Sequence, residues 1–189
     1  MNETAARKRR LFAGIDLGPA TRAACGEVAQ ALAKTGFSAR YEAQEKLHAT
    51  LAFLGFVEPQ RLEAIAETLS TVAARLRPFT VGLDKLGAFP HERRPRVVFI
   101  GAREQGAAFR SLARAVRDAY ASLGFDFDDD PVAHVTIARV KESKRPLPSV
   151  EFAPIPLEIA ALALFESRPD PERKTSRYAI VASAPFSAA

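Results

Sequence analysis

The sequence of 189 residues contains no tryptophan, one cysteine (Cys25), one methionine and three histidines. A single cysteine excludes an internal disulfide and fits a reducing compartment, so the cytoplasm is the expected location. So few histidines and thiols leave little material for a metal centre. No apolar run approaches the roughly 18–20 residues that a membrane-spanning helix needs. The opening MNETAARKRRLF has basic residues but no apolar region after them, unlike a secretory signal. No GxxxxGK[ST] or GxGxxG stretch occurs, so a nucleotide cofactor has no support, and no GxSxG elbow offers a serine nucleophile.

What is present is the composition of a soluble globular protein, 48% hydrophobic and 26% charged. The length suits one compact domain or two small lobes sharing a core. The net charge of +5 is concentrated in RKRR (7–10), HERRPR (91–96) and KESKR (141–145). Such clusters are either solvated loops and ends or the electrostatic footprint of a polyanion, nucleic acid being the commonest.

Helical periodicity predicts helices over Pro19–Thr35, Pro59–Arg77 and Ala107–Leu123. Strands are expected at Leu11–Leu17, Phe37–Tyr41, Leu47–Leu54, Phe79–Leu86, Val97–Gly101, Val132–Val140, Leu157–Glu166 and Arg177–Ala182. The proline-bearing stretch Pro146–Pro156 reads as a connection with at most an edge strand. Within this order the chain repeats itself. LFAGIDL, a helix, Gly36-Phe37 and HATLA are matched by VVFIGA, a helix, Gly124-Phe125 and HVTIA. His134 follows His48 by 86 residues, too long a period for a solenoid and consistent with two similar lobes about a pseudo-two-fold axis.

Each histidine has a threonine two residues on, so His48 with Thr50, and His134 with Thr136, share a strand face about 6–7 Å apart. One histidine on an apolar strand is usually a core residue; two in equivalent places, each with a hydroxyl, point to a site. Two imidazoles supply an acid and a base near neutral pH, and two hydroxyls can donate to phosphate oxygens. In-line displacement at phosphorus needs a proton taken from the nucleophile on one side and one delivered to the leaving oxygen on the other, and this set fits that need without a metal. The run DFDDD, Asp126 to Asp130, could suggest one, but no carboxylate recurs in the first repeat, and a solvated turn closed by Pro131 is the expectation. His91, in a basic loop without a threonine partner, is not expected to be catalytic.

The two H-x-T motifs, together with LFAGIDL, KLHATLAFLG, FTVGLDKLGAFP, RVVFIG, AHVTIAR, LFES and a later RY, resemble the RNA 2′,3′-cyclic phosphodiesterases. These proteins, also called 2′-5′ RNA ligases, belong to the two-histidine phosphoesterase superfamily. The resemblance runs from about Arg10 to Ala184. It implies an α+β fold in one bilobal domain, residues 1–189 with a flexible basic start over about 1–8. The lobes would be pseudo-symmetric, each mainly antiparallel sheet with outer helices, around a central cleft. It implies metal-independent, cofactor-free opening of a terminal 2′,3′-cyclic phosphate to a 2′-phosphate, and in some members reversible, ATP-independent 2′-5′ joining. The expected partners are RNA with such an end or cyclic nucleotides, with no membrane and no obligate protein partner, the chain acting as a monomer.

Carried across, His48 is the proton donor, His134 the proton acceptor, and Thr50 and Thr136 hold phosphate oxygens. Arg139 matches a phosphate-contacting arginine, but strict alternation points it away from His134, so that role requires a twist or bulge. Phe53 matches an aromatic position near the nucleotide, while alternation puts it on the core face; core packing is the expectation for it. Tyr41 stands where relatives often have tryptophan. The alternative is an RNA- or nucleotide-binding module on the same fold that turns over slowly or not at all.

Overall fold

The computed structural model describes residues 7–128, 130–142, 145–172 and 175–187. Along the chain, β1 (Arg9–Asp16) leads into α1 (Pro19–Lys34), then β2 (Arg40–Tyr41) and β3 (His48–Val57). Next come α2 (Leu62–Ala73), β4 (Phe79–Leu83), β5 (Lys85–Phe89), β6 (Val97–Gly101) and α3 (Gly106–Ala121). The chain continues with β7 (His134–Arg139), β8 (Ile155–Ile159), β9 (Ala161–Asp170) and β10 (Thr175–Pro185).

The repeat seen in the sequence is visible in how its helices stop. Gly36 after α1 and Gly124 after α3 have φ of +71° and +82°, a left-handed conformation that glycine adopts without strain. Their N–H groups close the last turns onto the carbonyls of Ala33 and Ala121, at 2.9 and 2.8 Å.

Two four-stranded antiparallel sheets result, in the orders β10-β9-β1-β3 and β2-β7-β6-β5, with β4 and β8 as a separate two-stranded ribbon. His48 opens an edge strand of the first sheet, and His134 opens an inner strand of the second. The helices cross between the sheets. α1, which leaves the first sheet, packs against β7 and β8, and α3, which leaves the second, packs against β3. α2 covers β9 and β10. Each histidine strand is therefore backed by a helix from the other repeat. The buried faces are those the periodicity indicates: Ile65 and Leu69 on α2, and Phe109, Leu112, Val116 and Tyr120 on α3. Each such side chain contributes about 1.5–3 kcal/mol on burial.

Two expected strands are each divided. Phe79–Leu86 breaks at Asp84, whose N–H bonds Gly101 O at 2.9 Å and whose carboxylate accepts from Arg103 N–H at 2.8 Å. Val81 thereby stays in the ribbon and Leu86 enters the second sheet. Leu157–Glu166 breaks at Ala160, whose carbonyl accepts from Phe186 N–H at 2.8 Å. The expected helix from Pro59 begins with a 3-10 turn and stops at Ala73, and of Phe37–Tyr41 only Arg40 and Tyr41 join a ladder. No strand forms between Pro146 and Pro154.

Of the basic start expected to be flexible, residues 1–6 lie outside the described residues, and Lys8 pairs with Glu58 at 2.8 Å. The basic loops at 91–96 and 141–145, of which Ser143 and Lys144 lie outside, run side by side: Val140 N–H bonds Arg96 O and Leu147 N–H bonds Glu92 O. The Arg96 guanidinium donates to Lys141 O. No described helix is long and apolar enough to cross a membrane.

Candidate active site

Register decides which side chains share a face with the histidines. Opposite β1, Ala13 pairs with Ala52 but Gly14 with Thr50, so Leu51 is an extra residue in the strand. Leu54 is a second, because Leu11 pairs with Gly55 and Phe12 with Phe53. On β7 the same irregularity falls on Ile137, since Val98 pairs with Ala138 and Phe99 with Thr136. These are β-bulges, and one extra residue reverses the alternation beyond it. Leu51 and Ile137 occupy the same place in HATL and HVTI.

The carbonyl at each of these two bulges is taken by the other repeat. Leu51 O accepts from Arg117 Nε on α3 at 3.3 Å, and Ile137 O accepts from Glu42 N–H at 2.8 Å. Each bulge is thus tied to the other repeat by a hydrogen bond, a net contribution of about 0.5–1.5 kcal/mol each.

The first consequence is that Arg139 lies on the face of His134 and Thr136, which strict alternation would forbid. The second is a correction. Phe53, expected in the core, is 66% exposed on the face of His48 and Thr50, its ring 6.0 Å from that of Phe12. Phe53 and Arg139 are equivalent positions of the two repeats, one apolar and one cationic.

Both imidazoles are oriented by the same local bond. His48 Nδ1 lies 2.6 Å from Lys46 O, and His134 Nδ1 lies 2.8 Å from Val132 O. A carbonyl can only accept, so Nδ1 carries the proton and Nε2 of the neutral ring is the free base. Aromatic side chains hold the rings. Phe12, Tyr178 and Phe165 lie 4.8, 5.0 and 5.5 Å from His48, and Phe89 and Phe99 both lie 5.3 Å from His134.

The starts of the two strands are also pinned. Arg22 on α1 donates to Gln44 O, Leu47 O and Leu17 O and pairs with Asp16 at 2.5 Å, fixing the turn before His48. Gln105 Oε1 accepts from Ala133 N–H at 2.9 Å, fixing the residue before His134.

Burial pushes His48 below its ordinary pKa, against the raising effect of the Lys46 carbonyl; positive charge on His134 and Arg139 lowers it further and Glu42 raises it. Burial likewise lowers His134, against the Val132 carbonyl. Glu42 is a residue the sequence reading did not single out. Its largely covered carboxylate takes Arg139 Nε at 3.0 Å and lies 3.7 Å from the Arg40 guanidinium. Only its place shortly before the segment KLHATL marks it in sequence, and that is no signal without the fold.

Thr50 and Thr136 are half-buried on the same faces, and neither hydroxyl bonds a protein group among the described residues. His91 is exposed, its Nδ1 accepting from Arg94 N–H within its own loop. Among the described residues no three His, Cys, Asp or Glu side chains converge as a metal-ligand set; Asp129 lies outside them.

Two sheets of this topology, each carrying a bulged strand that opens with His-x-Thr, with β3 in contact with β7, are the arrangement of a two-histidine phosphoesterase. The model of the 2′-5′ RNA ligase superfamily matches residues 20–171, and the chain belongs to that superfamily. An RNA 2′,3′-cyclic phosphodiesterase of Archaeoglobus fulgidus is 39% identical over 132 residues, covering 70% of this chain and 73% of the relative. One of Geobacillus stearothermophilus is 35% identical over 149 residues, 76% of this chain, which spans only 46% of that relative's length. Among solved structures, a protein of Thermus thermophilus matches with a TM-score of 0.79 at 27% identity, covering 94% of this chain and 97% of that one. E. coli LigT in complex with 3′-AMP matches at 0.72 and 26%, covering 97% and 100%.

Proposed function

We propose that this chain opens the 2′,3′-cyclic phosphate at the end of an RNA to a 2′-phosphate by metal-independent acid–base catalysis. The observation that carries the reading is the mirrored pair of imidazoles, each with Nδ1–H held by the carbonyl two residues back and a hydroxyl two residues on. The names of the curated relatives and the 3′-AMP bound to E. coli LigT support the substrate class.

In the reaction His134 Nε2 takes a proton from water as its oxygen bonds to phosphorus. The bond from phosphorus to O3′ breaks in line, and protonated His48 delivers its proton to O3′. Thr50, Thr136 and Arg139 hold the non-bridging oxygens, whose charge grows in the transition state. A 5′-hydroxyl in place of water gives a 2′-5′ linkage with the same proton transfers, the strained cyclic ester supplying the driving force without ATP. Glu42 positions Arg139. We read the chain as a monomeric, single bilobal domain, a reading supported by both histidines and both threonines coming from one chain. A cytoplasmic location accords with a single cysteine, Cys25, that is buried and free.

The test is incubation with an oligonucleotide ending in 2′,3′-cyclic phosphate, chelator present, and identification of the product. A 2′-phosphate formed at an undiminished rate is expected; loss of activity in EDTA restored by one divalent ion would overturn the reading. A binding module that does not turn over would retain the oligonucleotide and release no product.

The pH dependence follows from the two depressed imidazoles. The base must be neutral, so activity falls on the acid side, and the acid must be protonated, so it falls on the alkaline side. Both free-enzyme values lie below 6.5, so kcat/KM declines on its alkaline limb already below that pH. Bound phosphate raises the acid, so the alkaline limb of kcat lies higher. A kcat/KM flat between about pH 5 and 8 would contradict acid–base catalysis by histidine. Stability has its own sign: the unfolded chain takes up protons near 6.5 while the native rings resist them, so stability is lost as pH falls through 6.5.

A further inference from the structure

Beyond Thr50 the histidine face of β3 continues outward. The bulges at Leu51 and Leu54 bring Phe53 and then Phe56 to that face, opposite Phe12 and Arg10 of β1. Thr50, Phe53 and Phe56 pair with Gly14, Phe12 and Arg10, so successive members of the row stand two ladder steps, about 7 Å, apart. That step matches one nucleotide of an extended single strand. Phe53 and Phe56 are 66% and 71% exposed, the two most exposed large apolar side chains among the described residues.

Within the basic cluster at 7–10, two of the cations have carboxylate partners. Lys8 pairs with Glu58 and Arg9 with Glu166, while Arg10 is exposed beside Phe56 and close enough to Tyr178 for its charge to act on the phenol. A row of aromatic faces flanked by a cation, continuous with a phosphate site, is how proteins hold single-stranded nucleic acid.

We propose that Phe56 and Arg10 form a subsite for the nucleotide immediately 5′ of the one bearing the cyclic phosphate, its base stacked on Phe56 and its phosphate facing Arg10. With the reacting phosphorus between His48 and His134 and the terminal nucleoside along Phe53, the chain can leave only from the 5′ side of that nucleoside. The row on β3 gives it a path. The inference rests on the phosphodiesterase reading for the position of the end and adds a preference for oligonucleotides over cyclic mononucleotides.

Two measurements separate the two readings. In the first, kcat/KM is compared for a 2′,3′-cyclic mononucleotide and for a dinucleotide ending in the same group. The wild type should favour the dinucleotide on the order of tenfold, the usual value of stacking one base on an aromatic face. Phe56→Ala should remove that advantage and leave mononucleotide turnover unchanged, and Phe56→Trp should keep it. Arg10→Ala should reduce the advantage and lower the salt slope of oligonucleotide binding by about 0.7, the loss of one phosphate contact, while Arg10→Lys retains it.

In the second, binding of a fluorescent oligonucleotide ending in 2′-phosphate is titrated without turnover. It should weaken about tenfold in Phe56→Ala. If neither cyclic substrate turns over, the phosphodiesterase reading fails, and the titration still decides the subsite. A dinucleotide advantage or an oligonucleotide affinity that survives Phe56→Ala overturns the subsite, as does an equal loss on mononucleotide and dinucleotide.

Discussion

Replacing His48 or His134 by alanine is expected to lower turnover of a cyclic-phosphate end by about 10²–10⁴-fold each, the usual contribution of a positioned general acid or base. The fold should survive. Each ring is only half-buried and its hydrogen bond is to a carbonyl two residues away, so its loss leaves no distant group unpaired. The double variant should be little worse than either single one, because acid and base act on one in-line displacement and the effects are not additive. Circular dichroism and thermal melting, run beside single-turnover kinetics, separate loss of chemistry from loss of structure. Near-wild-type turnover in either variant would remove that histidine from the mechanism.

Gly14→Val should cost both activity and stability through the geometry of β3. A Cβ at Gly14 would lie 2.4 Å from Ala49 O and 3.4 Å from Thr50 Cα, backbone atoms between the two site residues of HATL. A backbone cannot swing aside as a side-chain tip can, so the strand must move. Overpacking of this kind costs about 1–3 kcal/mol. A shift of about 1 Å in a catalytic constellation is enough to cost 10²-fold in rate. Denaturant unfolding and kcat should therefore both respond. A variant of unchanged stability and rate would show that the β1–β3 pairing has more room than this contact allows.

The part of the site that was readable in the sequence is the part written in local chemistry. His-x-Thr on two alternating strands, each after a helix closed by glycine, places His48, Thr50, His134 and Thr136 without reference to the rest of the chain. The bulges were not readable. Leu51 and Ile137 are ordinary strand residues, and the partners of their carbonyls, Arg117, 66 residues away, and Glu42 on the other repeat, are tertiary contacts. Strict alternation puts Phe53 in the core and points Arg139 away from His134, and a register shift in each strand, at Leu51 and at Ile137, reverses both. The helix exchange was hidden for a related reason: periodicity says that α1 has a buried face but not which sheet covers it. The division of Phe79–Leu86 has a local trace in Asp84, a residue that readily caps a turn, but its partner Gly101 is a tertiary contact.

The assignment of separate roles to two nearly symmetric imidazoles is tested most directly by changing the leaving atom. In a substrate with sulfur in place of the 3′ bridging oxygen, the departing thiolate needs no proton, so the general acid becomes dispensable while the general base does not. With His48 as the acid, His48→Ala should regain most of the wild-type rate on the 3′-thio substrate, and His134→Ala should remain as slow as on the oxygen substrate. Equal impairment of both variants on the thio substrate, or recovery of the His134 variant in place of the His48 variant, would contradict it.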